Sequence, residues 1–186
     1  MAQLNDQRAD ANACMIERMF FIHEGVLDRE GTFFYSALRK CWQEGKRRLI
    51  ELPKDDPESF RLYAQWLYTH EIYVNKPDGD KNYAILIDLY LLGDKILDRE
   101  FQDCITDALH AATRDAVVDP EQGVVRTYPD FEETIDTLYR NTPKGDPMRR
   151  LMVNLYVQNG DKTWLEAEAD VNHEFLADVA IALYKR

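Results

Sequence analysis

A catalytic or nucleotide-binding site requires particular residue types at particular spacings in the sequence. The two serines, Ser36 and Ser59, lie in no G-x-S-x-G sequence, so a hydrolase of that type has no nucleophile in context. The eight glycines form neither a G-x-G-x-x-G nor a G-x-x-x-x-G-K-[ST] sequence, which excludes the common nucleotide-binding loops. The spacing therefore predicts no enzyme of these classes.

Metal and thiol chemistry are not predicted either. The three cysteines are far apart and form no C-x-x-C pair, so neither a disulfide framework nor a zinc site is expected. They are Cys14, Cys41 and Cys104. Asp103, Asp107 and His110 share one helical surface, but the opposite face of that helix is apolar. We therefore expect these three residues to be its solvated side.

Two further arrangements have a structural explanation. Asp55 and Asp56 are neighbouring carboxylates whose side chains diverge, and Asp56 is well placed to cap a helix that begins at Pro57. Cys41 follows two basic residues, yet no histidine is placed by sequence to act as its base. The sequence thus predicts no catalytic residue, no cofactor and no metal.

Composition narrows the class of protein. The 186 residues carry 23 basic and 34 acidic side chains, a net charge of −11 that disfavours nucleic-acid binding. The 45% hydrophobic content is enough for a buried core. No apolar stretch is long enough to span a membrane and no signal-peptide core is present, so an intracellular protein (cytoplasmic, nuclear or both) is expected. One basic run is either an anion-attracting patch or a solvated helix end and turn: Arg39, Lys40, Lys46, Arg47 and Arg48.

Hydrophobic periodicity predicts the elements of the first 117 residues. Short apolar runs at 19–22, 48–52 and 72–74 predict strands. Helices are predicted from Thr32 to Gly45, from Pro57 to about Tyr68, from Tyr83 to an interruption at Gly93, and from a cap at Asp98 onward.

The pattern breaks near residues 118–123, which predicts a boundary before a helical extension. Three helices are expected there: 131–139, one opened by Asp146-Pro147 and closed at Asn159-Gly160, and one opened by Asn172. Residues 1–18 are polar and poorly patterned. The predicted organisation is therefore an N-terminal segment (1–18), a module (19–117) and an extension (118–186).

Five stretches occur in an order typical of a known family: 21–24 (FIHE), 32–34 (TFF), 50–60 (IELPKDDPESF), 66–69 (WLYT) and 89–95 (LYLLGDK). They resemble the BTB/POZ domain, of the kind abundant in filamentous fungi. The resemblance implies an α+β fold, a small sheet flanked by a cluster of helices, followed by an all-helical C-terminal extension. The residues with a structural role in these motifs would be His23, Phe33, Phe34, Pro53, Asp56, Phe60, Trp66 and Tyr68. Of these, His23 would bond nearby backbone through its imidazole.

BTB/POZ domains are protein-interaction modules, and some recruit a cullin scaffold of ubiquitin ligases through an apolar-x-Glu triplet after the second helix. Trp42, Gln43 and Glu44 occupy that position. Trp42 would either insert into an apolar pocket of the partner or pack on its own domain beside Cys41 and Leu38. Binding of nucleic acid or membrane is not expected.

The resemblance leaves the biological role open between two functions. One is an adaptor that joins a partner to a cullin-type ligase or a scaffold that self-associates; the other is a component of a nuclear transcription-regulating complex without its own DNA-binding domain. Only residues 12–18 are available for the family's first strand, which often contributes to dimerisation. This departure weakens the expectation of a homodimer through that region.

Overall fold

The structure is a computed structural model that describes residues 18–39, 42, 46–52, 55–74, 83–114, 116–119, 123–126, 128–160 and 171–185. Within these residues the chain is helical, with strands confined to one short hairpin. The elements in chain order are α1 (Glu24–Leu27), α2 (Phe33–Ala37), α3 (Pro57–Thr69), α4 (Tyr83–Lys95), α5 (Arg99–Arg114), β1 (Ala116–Asp119), β2 (Gly123–Arg126), a π-helical turn (Phe131–Ile135) continuing into α6 (Asp136–Asn141), α7 (Pro147–Asn159) and α8 (His173–Tyr184).

Capping residues begin the longer helices where the sequence predicts. Asp56 Oδ2 accepts from the Ser59 amide at 2.7 Å at the start of α3. Asp146 Oδ1 accepts from the Met148 amide at 2.8 Å at the start of α7. The Asn172 side chain caps α8 in the same way. Each cap satisfies amides that have no partner inside the first turn, so these helix starts are confirmed.

One hydrophobic cluster holds the described helices together, and α4 lies at its centre. Leu86, Ile87 and Leu89 of α4 are 0% to 1% exposed, and the helix contacts α3, α5 and α6. The same cluster contains side chains from both the predicted module and the predicted extension. In addition, Tyr90 Oη donates to Asp146 Oδ1 at 3.1 Å, linking α4 to the cap of α7.

The predicted α+β fold with a small sheet in residues 19–117 is wrong. Residues 19–22, 48–52 and 72–74 form no strands, because no neighbouring strand in the described chain offers them ladder hydrogen bonds. Phe21 is 89% exposed, and Arg48 has a left-handed φ of 54° that interrupts extended backbone. Apolar runs of this length do not distinguish a strand from a packed loop.

The expectation of an all-helical extension is wrong as well. The two strands of the described chain lie where the boundary was predicted, with β1 and β2 antiparallel and Val117 opposite Val125. Valine-rich pairs favour extended backbone, and the predicted pattern break near residues 118–123 coincides with the end of β1 and the start of β2. The domain boundary itself stays a prediction.

Gly93 does not interrupt α4, which continues to Lys95. A Cβ on Gly93 would lie 2.7 Å from Gln102 Cγ and 3.2 Å from Phe101 Cδ1, so the missing side chain lets α4 and α5 approach closely. The helix predicted from Thr32 is α2, which is shorter than expected. None of the described helices is both long and apolar enough to cross a bilayer.

Candidate protein-interaction surface

An open depression of about 260 Å³ is formed by residues of α1 and α2, by their C-caps and by the residue after α2's C-cap. Its lining combines two carboxylates, a phenol, a guanidinium and one aliphatic side chain: Glu24, Asp28, Tyr35, Leu38 and Arg39. The Phe33 amide donates to the Ile96 carbonyl at 2.8 Å, which attaches α2 to the end of α4. Pockets that bind small molecules are lined mostly by apolar side chains. The mixed polar lining of this depression is therefore better suited to binding a peptide segment.

Trp42 lies on the chain segment that leaves this depression. Its amide donates to the Arg39 carbonyl at 3.0 Å, and its carbonyl accepts from the Lys46 amide at 3.2 Å. Trp42 is 59% exposed, so most of its surface is accessible to a partner. Its packing beside Cys41 stays a prediction, because Cys41 lies outside the described residues. Five neighbours fall outside the described residues, including the rest of the predicted triplet: Lys40, Cys41, Gln43, Glu44 and Gly45.

Cationic side chains flank Trp42 on both sides. Lys46 and Arg47 are exposed in a single helical turn. Arg48 Nη2 lies 2.9 Å from Glu24 Oε2, and Arg39 Nη2 donates to Tyr35 Oη at 3.1 Å while its guanidinium stacks on that ring. The surface formed by the depression, Trp42 and these cations is called the Trp42 surface below.

His23 has a different partner from the predicted one. The Tyr68 hydroxyl accepts from the His23 amide at 3.0 Å and lies 2.9 Å from Nδ1 of the imidazole. Both side chains are exposed. The imidazole therefore bonds a side chain rather than backbone, and it joins the start of α1 to the end of α3.

The aromatic motif residues have mainly structural roles. Phe34 and Trp66 are 3% and 1% exposed, and the Phe60 ring lies 6.0 Å from the Phe34 ring. Phe33, at 37% exposure, lies at the surface beside them. Pro53 lies outside the described residues.

The buried carboxylate of Asp98 forms hydrogen bonds with side chains that are far from it in the sequence. It is 1% exposed, and its Oδ2 accepts from Arg29 Nη1 at 2.5 Å and from Tyr63 Oη at 3.0 Å. Its Oδ1 accepts from the Phe101 amide at 3.1 Å, as the predicted cap of α5. Burial, with the Asp98 charge adding to it, raises the pKa of Tyr63 well above its ordinary value. Among the described residues, no buried side-chain nitrogen or oxygen lacks a hydrogen-bond partner, so internal bonds account for this cluster.

Arg149, in the second half of the chain, is likewise a buried charged residue held by internal contacts. It is 4% exposed, its Nε donates to Thr142 Oγ1 at 2.9 Å, and its guanidinium stacks on Tyr139. Its Nη1 donates to Glu174 Oε2 at 2.8 Å, tying α7 to α8. The neighbouring Arg150 is exposed. Internal pairing accounts for Arg149 without an acidic partner.

Asp103, Asp107 and His110 all lie on the exposed face of α5. In the part of the chain that the structure describes, no three histidine, cysteine or carboxylate side chains group as metal ligands would. Burial raises the pKa of the Cys104 thiol, which packs against the core. Such a thiol is a weak nucleophile at neutral pH.

Comparisons with models of known protein families, with curated proteins and with solved structures find no match for this chain. Function must therefore be argued from the surface itself. The sequence identified Trp42 but not the depression beside it, because no sequence motif places Glu24 and Asp28 next to Tyr35.

Proposed function

We propose that this chain is a protein-interaction module that uses the Trp42 surface as an adaptor for a cullin-type scaffold. The observation that carries the proposal is the 59% exposure of Trp42 beside a polar depression. Tryptophan is the residue most enriched among energetically dominant contacts in protein interfaces, where it is desolvated in a partner's pocket.

The exposed part of the indole provides enough energy for an anchor. A tryptophan presents about 250 Å² of surface, so roughly 150 Å² of Trp42 is left to bury. At about 25 cal/mol per Å², burying that area contributes roughly 3 to 4 kcal/mol. This corresponds to a factor of about 150 to 900 in affinity.

Charge supports a partner with an acidic contact surface. The protein has a net charge of −11, yet Lys46 and Arg47 stand exposed close to Trp42. An acidic partner is repelled by most of the molecule and attracted at this segment, which orients the encounter. The position of the Trp42, Gln43 and Glu44 triplet after α2 supports a cullin as that partner, through the BTB/POZ resemblance.

Isothermal titration calorimetry of the purified chain with a cullin amino-terminal domain tests the proposal. We expect binding at micromolar or tighter Kd, weakened at least about 100-fold by Trp42→Ala. The matched control is Tyr73→Ala, because Tyr73 is 61% exposed and lies outside the Trp42 surface. The control should leave Kd unchanged. Absence of heat from a wild-type sample with a cooperative thermal transition would refute the cullin assignment.

A further inference from the structure

Helix α8 is apolar around almost its whole circumference. Between Phe175 and Tyr184 the only charged residue is Asp178, which accepts a hydrogen bond from Tyr139 Oη at 3.1 Å. A helix that is apolar on all sides is normally covered on all sides. In α8, however, Phe175 is the sole residue that is fully buried.

The inner face of α8 is covered by the protein itself. The Phe175 ring lies 5.1 Å from the Tyr156 ring of α7 and 5.6 Å from the Tyr139 ring of α6. Val179 and Ala182, on the same side, pack against the core. The covered side of α8 is therefore defined by residues 175, 178, 179 and 182.

The opposite side, which we call the α8 outer face, is uncovered. Ala177, Ala180, Ile181 and Tyr184 follow one another at i, i+3, i+4 and i+7, which places them on one stripe of the helix. All four are exposed, Ile181 by 49% and Tyr184 by 93%. Leu183, 52% exposed, borders the stripe. No charged residue lies on it.

The order of side-chain sizes along this stripe is self-complementary. The two small residues, Ala177 and Ala180, precede the two large ones, Ile181 and Tyr184. When two copies lie antiparallel across a two-fold axis, Tyr184 of each faces Ala177 of the other, and Ile181 faces Ala180. Large side chains then fill the space above small ones, which is how packed layers interdigitate.

Charge at the ends of α8 favours the same arrangement. The first turn contains Glu174, whose side chain stays 71% exposed while it pairs with Arg149, and Lys185 is exposed just after the last turn. Antiparallel pairing brings the basic end of one helix toward the acidic end of the other and aligns the helix dipoles favourably. Between these ends the uncharged stripe allows two molecules of net charge −11 to approach closely.

We propose that the α8 outer face binds the same face of a second copy of this chain, antiparallel across a two-fold axis. Twelve residues give α8 a length of about 18 Å and a width of about 10 Å. This footprint is smaller than the roughly 800 Å² per partner of a standard stable interface. The dimer is accordingly weak and forms only at high protein concentration.

Sedimentation velocity of the full chain, from about 1 to about 200 µM, tests the proposal. We expect a concentration-dependent shift from monomer to dimer that Ile181→Asp abolishes. The matched control Leu97→Asp, at a 62% exposed leucine outside α8, should retain the shift. Circular dichroism and thermal melting of both variants show that they are folded. A folded wild type that stays monomeric throughout, or a dimer that survives Ile181→Asp, would overturn the proposal.

Cysteine cross-linking tests the orientation. Two copies of Ala180→Cys meet near the two-fold axis and should form an intermolecular disulfide, assigned by peptide mass mapping against the native cysteines. Two copies of Glu174→Cys lie at opposite ends of an antiparallel pair and should not. The reverse result would indicate parallel pairing and refute the arrangement. Because Trp42→Ala leaves α8 intact and Ile181→Asp leaves the Trp42 surface intact, this test and the cullin titration fail independently.

Discussion

Removing the carboxylate of Asp98 should be among the most destabilising single changes in the described chain. In Asp98→Ala, the Tyr63 hydroxyl, 1% exposed with the rest of its side chain, loses the acceptor 3.0 Å away. The Phe101 amide loses the cap of α5 at the same time. Arg29 keeps a salt bridge to Glu100, so its guanidinium is not left without a partner.

The expected cost follows from these three losses. An unsatisfied buried hydroxyl costs about 1 to 3 kcal/mol, and loss of an aspartate cap about 1 kcal/mol. Arg29, with 22% of its side chain exposed and Glu100 retained, adds up to about 1 kcal/mol. We therefore expect Asp98→Ala to lower the free energy of unfolding by roughly 2 to 5 kcal/mol, a range that overlaps the cost of breaking other buried ion pairs.

Urea unfolding followed by circular dichroism measures this loss, provided that the denaturant slope is the same in both proteins. The control is Glu100→Ala, which removes an arginine partner whose side chain is 68% exposed and should cost at most about 1 kcal/mol. The double variant Tyr63→Phe, Asp98→Ala should cost less than the sum of its single variants, because the phenylalanine leaves no orphaned hydroxyl. Equal losses in Asp98→Ala and Glu100→Ala would refute the reasoning.

Two further predictions concern buried tyrosines and a helix contact. Burial raises the pKa of Tyr63, Tyr90 and Tyr139 above the ordinary 10.0, and a hydrogen-bonded carboxylate strengthens the effect at each. The unfolded chain then releases these protons above pH 10 while the folded chain retains them, so stability falls with rising pH by about 1.4 kcal/mol per pH unit for each tyrosine, measurable by urea unfolding. Gly93→Ala should lower the free energy of unfolding by about 1 to 2 kcal/mol, because the clash with α5 exceeds the gain in helix propensity; thermal melting detects this.

Each of these predictions has a control in the same chain. Tyr139→Phe should reduce the alkaline slope by about one third, and an unchanged slope would contradict the assignment. Gly25 lies in α1 with no atom within 4 Å of an added Cβ, so Gly25→Ala should be neutral or stabilising. A melting temperature raised by Gly93→Ala would show that α4 and α5 are not in close contact.

Local capping chemistry was readable from the sequence, whereas strand pairing was not. Asp56 and Asn172 begin helices because a side-chain oxygen next to an apolar stripe satisfies amides of the first turn, a requirement local to a few residues. The run at 19–22 has the composition of a strand, but a strand exists only where another segment supplies its hydrogen bonds. The pairing of β1 with β2 has a local signal in the sequence, two pairs of valines at 117–118 and 124–125, but the break between them predicts a domain boundary equally well.

The sequence alone determined the helix starts, the acidic balance and the absence of common catalytic spacings, because these depend on residue type and short separations. The tertiary structure decided which distant groups meet. Arg29 and Asp98 are separated by 69 positions, and only the packing of the helices brings them together. Exposure of Trp42 and of the α8 outer face likewise depends on what each neighbouring helix leaves uncovered, and no local pattern specifies that.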